Sequence, residues 1–189
     1  MSNLKKLILA LLITSYGQTK SQNLYRSSRD SKIVVSGTST LHDWSLTSKE
    51  VKIQAEINVN AEGALAGINS LTLSVRSESL KSGHSAMDKN TYSVLDTDIH
   101  KNITFVLNSS TVNQQKITGK GNLTIAGSSQ PVTLETTCKI LPDRIVHCTG
   151  AKDVKMSDFG IDPPSFMFGT VRTGDQVKVS FDVKLTPEK

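Results

Sequence analysis

Groups with obvious reactivity are few in this 189-residue chain. Cys138 and Cys148 are its only cysteines, and its histidines are His42, His84, His100 and His147. No two histidines stand at His-x-x-x-His spacing or beside a cysteine at ligand spacing, so no metal site is expected. His42-Asp43 is the one His–carboxylate neighbour pair, and adjacent residues on a strand face opposite ways. No Gly-x-Ser-x-Gly elbow, phosphate-binding loop or dinucleotide fingerprint occurs. Asp158 and Asp162, four residues apart, read more simply as turn-capping or solvent-facing carboxylates than as an acid–base pair. No residue is therefore assigned to catalysis and no cofactor is expected. The rival reading is a hydrolase or isomerase using His42 and Asp43.

The alternative to bond chemistry is apolar solvation, and one stretch concentrates the means for it. Lys155 to Gly169 holds Phe159, Phe166 and Phe168, three of the five phenylalanines, with Met156, Met167 and Ile161 around Pro163-Pro164. A proline pair removes two backbone donors and stiffens the chain, which suits a rigid loop or edge rather than a helix or central strand. Phenylalanine and methionine together line adaptable apolar cavities, yet they fill dry cores equally well. The stretch by itself leaves plug and mouth both open.

The N-terminus carries an address. Lys5 and Lys6 precede an apolar run from Leu7 to Tyr16, and Thr19-Lys20-Ser21 offers a small-residue cleavage pattern, so residues 1–21 read as a secretory signal peptide and 22–189 as one mature domain. The run is far shorter than the roughly 20 residues that span a bilayer as a helix, and no cysteine precedes Cys138 to carry a lipid anchor. Loss of Lys5, Lys6 and Lys20 takes the formal net charge from +5 to +2. No basic run remains, and a nucleic-acid partner loses its electrostatic footing. A periplasmic or secreted location suits the even cysteine count. Two strands joined by Pro142-Asp-Arg144 would set Cys138 opposite Cys148, which predicts a cross-strand disulfide.

Strands must position these groups. Val51, Ile53, Ala55, Ile57 and Val59 alternate with polar residues, a long strand with one wet face. Similar patterns mark 32–36, 71–76, 103–107, 117–125, 131–140, 144–152 and 177–185, while residues 22–29 read as a flexible lead. Residues 85–95 break the alternation and read as a short helix with Met87, Thr91/Tyr92 and Leu95 on its buried stripe. About eight antiparallel strands and one helix favour a lipocalin-like β-barrel, since closure removes exposed edges and eight strands can enclose one small ligand. Gly119 and Gly121 fit the coiling that a barrel needs.

Several motifs together resemble the YceI-like family: Ser36-Gly-Thr-Ser-Thr-Leu-His-Asp-Trp44, Met87-Asp-Lys-Asn-Thr-Tyr92, Ile103-Thr-Phe105, Gly121-Asn-Leu-Thr-Ile-Ala-Gly127 with Pro131-Val132, and Ser157-Asp-Phe-Gly-Ile-Asp-Pro-Pro164 with Phe168-Gly169. They keep the family's order across nearly all of the mature chain. The resemblance implies an exported barrel that binds a long isoprenoid lipid, a polyprenyl or quinone tail, without catalysis. Trp44, Met87, Tyr92, Leu95, Phe105, Met156, Phe159, Phe166 and Phe168 are then expected to line the cavity or its mouth. One departure is His100-Lys101, where many relatives carry Tyr-Pro. A homodimer is compatible with this reading, and a solid-cored, stress-related interaction protein is its other rival.

Overall fold

The computed structural model describes residues 23–166 and 168–188; the expected signal segment and Met167 lie outside them. The chain forms β1 (Leu24–Ser27), β2 (Lys32–Ser39), β3 (Trp44–Ser48), β4 (Val51–Val59), β5 (Leu65–Arg76), α1 (Ser85–Val94), β6 (Asn102–Asn113), β7 (Lys116–Ile125), β8 (Ser128–Ile140), β9 (Val146–Lys155), β10 (Ser165–Phe166) and β11 (Val171–Pro187). All pairings among these strands are antiparallel.

The ring closes because β1 pairs with both β4 and β11. β2 continues β1 along β11, and β3 precedes β4 along the same seam. Each pair of segments acts as one interrupted strand, so eleven segments make an eight-stranded closed barrel, with the short β10 outside the ring against β11. This corrects the expected lead at residues 22–29, of which Gln22 is not described: Leu24–Ser27 is the strand that closes the barrel, and Tyr25 is buried. Four residues are too few to show alternation, so their strand character comes from two partners rather than from their own pattern. Ser27 adds a stitch, donating from Oγ to the Val51 carbonyl (2.7 Å) and accepting from the Ile53 amide (3.0 Å).

Alternation is realised where it was strongest. Val51, Ile53, Ala55 and Ile57 of β4 are buried, and they meet Tyr25, Val146, Val183 and Leu185 in one core cluster. Cys138 and Cys148 are register partners in β8 and β9, buried in that cluster and joined by a disulfide with Cα atoms 4.1 Å apart. A second cluster gathers Leu46, Leu80, Leu95, Val154, Phe159, Ile161 and Val177 at the other end.

That end is built differently. β3 pairs with β2, and its other edge exchanges two backbone bonds through Thr47 with Lys81 (2.8 and 3.0 Å), in the segment between β5 and α1. The helix thus covers the barrel end where the sheet gives out. Among the described residues no helix is long and apolar enough to cross a membrane.

Candidate functional site

Between the two clusters lies a cavity of about 370 Å³. Its floor is formed by Ile33, Leu73, Val75, Phe105 and Phe181, side chains on the inward faces of their strands. Phe181 can cross the lumen because its register partner is Gly150, where any Cβ would strike the ring. Gly121 makes the same room for Phe105, so the strand glycine serves ring packing as well as coiling.

The walls use a third glycine–aromatic pair. Trp44 is the register partner of Gly37 and lies over it so closely that a methyl at Gly37 would run into the indole. Its Nε1 donates to the Thr38 carbonyl (3.1 Å), which fixes the ring with its apolar body toward the cavity. Met87 from α1 and Leu95, which caps it, face inward, as do Met156, Phe159 and Ile161 from the far loop. These last three converge because Ser157–Phe159 forms a short 3₁₀ turn ended by Gly160 at φ +71°, with the Ile161 amide bonded to the Met156 carbonyl (3.1 Å).

Two serine–aspartate clasps hold the covering elements. Asp175 accepts from the Ser157 amide (2.8 Å) and hydroxyl (2.7 Å); Asp88 accepts from the Ser82 amide and hydroxyl, both at 2.7 Å. Hydrogen bonding from Ser157 holds the Asp175 carboxyl below its ordinary value, and Ser82 does the same for Asp88. Gln130 Nε2 adds a tie from β8 to the Asp158 carbonyl (2.7 Å).

Of the nine expected lining residues, six stand on the cavity: Trp44, Met87, Leu95, Phe105, Met156 and Phe159. Tyr92 does not. Its hydroxyl donates to the Glu78 carbonyl (2.9 Å) and accepts from the Lys81 ammonium, so it fastens α1 to the segment after β5. A phenol finds backbone and ammonium partners there that an apolar lumen lacks. Phe168 does not line the cavity either. It is fully exposed, in a turn with φ +54°. The backbone of Phe166 lies in β10; its side chain is outside the description.

Strand aliphatics such as Leu46, Leu123, Ile125, Val132 and Val179 complete the wall. Period-two parity marks them as inward, yet nothing in parity separates a lumen from a filled core. Ser39, His42, Asn90, Lys155 and Thr173 form a polar rim, and Lys152 interrupts the wall. His42 Nδ1 lies 2.8 Å from the Asp43 carbonyl oxygen, while Asp43 is not on the cavity, so the pair does not converge there. Among the described residues no three metal-ligating side chains cluster. His100, the departure from Tyr-Pro, packs its ring on Gly127 in the β7–β8 turn.

An aliphatic lumen capped by a helix can solvate an apolar chain, and comparison with known proteins gives the fold its place. The YceI-like domain model matches residues 28–185. The chain belongs to the YceI-like family. No curated protein matches it. Among solved structures it is similar to BcnA of Burkholderia cenocepacia (TM-score 0.67, 18% identity, covering 82% of this chain and 95% of that one). It is also similar to a polyisoprenoid binding domain from Saccharophagus degradans (0.67, 10%, 88% and 99%) and a YceI protein of Campylobacter jejuni (0.58, 18%, 72% and 81%). At these identities the likeness is one of fold.

Proposed function

We propose that this YceI-like protein is an exported carrier of an apolar isoprenoid-type lipid, a polyprenyl or quinone tail, held in the cavity beneath α1. The observation that carries the reading is the aliphatic and aromatic lumen of about 370 Å³ between two packed clusters. Export is supported by the signal-like N-terminus and the buried disulfide.

Magnitudes refine the reading. At about 370 Å³ the lumen lies at the small end of ligand pockets, about 300–1,000 Å³, with room for a chain of at least about a dozen carbons. At about 0.8 kcal/mol per buried CH₂ that is about 10 kcal/mol of gross transfer energy. Association costs roughly 4–15 kcal/mol. A longer tail must pass its remainder out through the rim.

Mass spectrometry of an organic extract from natively purified protein tests the reading, with Trp44, the only tryptophan, reporting occupancy by its emission. A stoichiometric lipid with a prenyl tail is the expected result. An extract free of lipid, combined with no Trp44 response to farnesol, would sink the proposal.

A further inference from the structure

The inner face of β9 is apolar except at one position. Val146, Cys148, Gly150, Lys152 and Val154 share the inward side by alternation, and their register partners on β11 are Leu185, Val183, Phe181, Val179 and Val177. Lys152 therefore sits where every neighbour on its face is apolar, one pair above Gly150–Phe181 and one below Val154–Val177. It is half-buried and contributes to the cavity wall. Among the described residues no carboxylate lies within ion-pair distance of it, unlike Lys32, Lys101 and Lys184 on the surface. An ammonium on an apolar wall forfeits hydration unless an opposite charge reaches it.

The backbone around Lys152 supplies a second feature. β8 and β9 pair only from Thr136–Gly150 to Ile140–Val146. Beyond that pair, Ser128–Glu135 of β8 bond only to β7, and Ala151–Lys155 of β9 only to β11. β8 next meets the 3₁₀ turn that follows β9, through Gln130 and the Asp158 carbonyl. This leaves a window in the barrel wall, with Val132 and Leu134 on one side and Lys152 on the other, all three on the cavity. A charged head in such a window keeps part of its water while its tail lies in the lumen.

We propose that Lys152 is a head-group anchor, which makes the preferred ligand an amphiphilic carboxylic acid with its carboxylate at the β8–β9 window and its chain in the cavity. A lone ammonium balances one carboxylate, whereas a diphosphate would need several cations. Among the charged cavity residues, the only other lysine is Lys155, exposed on the rim. The inference rests on the carrier reading and adds the head group to it.

The test compares dodecanoate, dodecanol and dodecylamine on delipidated protein, with Trp44 emission and calorimetry as readouts. Dodecanoate should bind roughly ten- to a hundredfold more tightly than dodecanol, the range of a charge-assisted hydrogen bond, and dodecylamine most weakly. Lys152→Met, close in length and apolar, should erase the acid preference in the folded protein; Lys152→Arg should keep the preference. Equal affinity for acid and alcohol in the unaltered protein would overturn the anchor and leave the carrier reading standing. So would a preference that disappears in Lys155→Met and survives in Lys152→Met. Binding of none of the three would also overturn the anchor, while the carrier reading stands or falls with the lipid extract and the farnesol response.

Discussion

The two ends of this barrel are made from the same alternating strands and do opposite things. At the closed end Tyr25, Ile57, Val146 and Leu185 are 0–2% exposed and the disulfide lies among them. At the helix end Trp44, Met87, Met156 and Val179 are only partly buried, and the space between them is left open. The difference does not come from hydrophobicity, which is similar in both. It comes from what completes the ring. Pairing of β1 with both β4 and β11 draws the closed end tight, while at the other end the sheet yields to a helix and a proline-stiffened loop held by two serine–aspartate clasps. Direct strand pairing brings opposing side chains into contact; a clasped cover leaves room beneath it.

The comparison can be broken in several ways. Ile57→Ala should cost the most, about 3–4 kcal/mol in denaturant unfolding, because it empties a packed site. Leu123→Ala on the cavity wall should cost clearly less, since that side chain already faces open space; equal costs would mean that the two ends are packed alike. Replacing both cysteines with serine should remove about 2–3 kcal/mol for a crosslink spanning ten residues, with lipid binding in the folded protein unchanged. Gly37→Ala should cost about 1–3 kcal/mol by driving Trp44 off its seat. Unlike the disulfide variant, it should also shift Trp44 emission and weaken binding.

Acid probes the clasps. The Asp88 and Asp175 carboxyls are held below their ordinary values by their serines, so they stabilise the cover fully above the ordinary aspartate value of 3.8 and cease to do so as pH falls through their lowered values. Bound lipid should be released below that range, with Trp44 emission moving before global unfolding. Asp175→Asn should bind more weakly already at neutral pH. A flat emission profile down to the global transition would remove the clasps from the account. Smallest of all, Phe168→Ser should change melting and lipid content negligibly, within about 0.5 kcal/mol.

Much of this was legible in the chain. Alternation in residues 51–59 and 177–185 announced which side chains face inward, and the spacing about Asp143 announced the cross-strand disulfide. The helix was visible as a break in that alternation. Leu95, read from the stripe of the expected helix, and Phe105, implied by the family resemblance, both stand on the cavity. Tyr92 and Phe168 do not. Tyr92 shares the helix's half-buried side, yet its hydroxyl is drawn to backbone carbonyls outside the lumen. Phe168 shares composition with Phe159, yet the turn at Gly160 sends one ring inward and the tip near Gly169 leaves the other in solvent.

What the sequence by itself determined is therefore the sidedness of each strand, the crosslink, and the family pattern from Ser36 to Gly169, because period two and local turn chemistry are properties of neighbours along the chain. Tertiary structure alone decided that Leu24–Ser27 closes the ring, that β8 and β9 part above Gly150, and that Lys152 stands inside the opening. Those facts depend on register between residues far apart in sequence, and a strand's own alternation carries no record of where its partner stops.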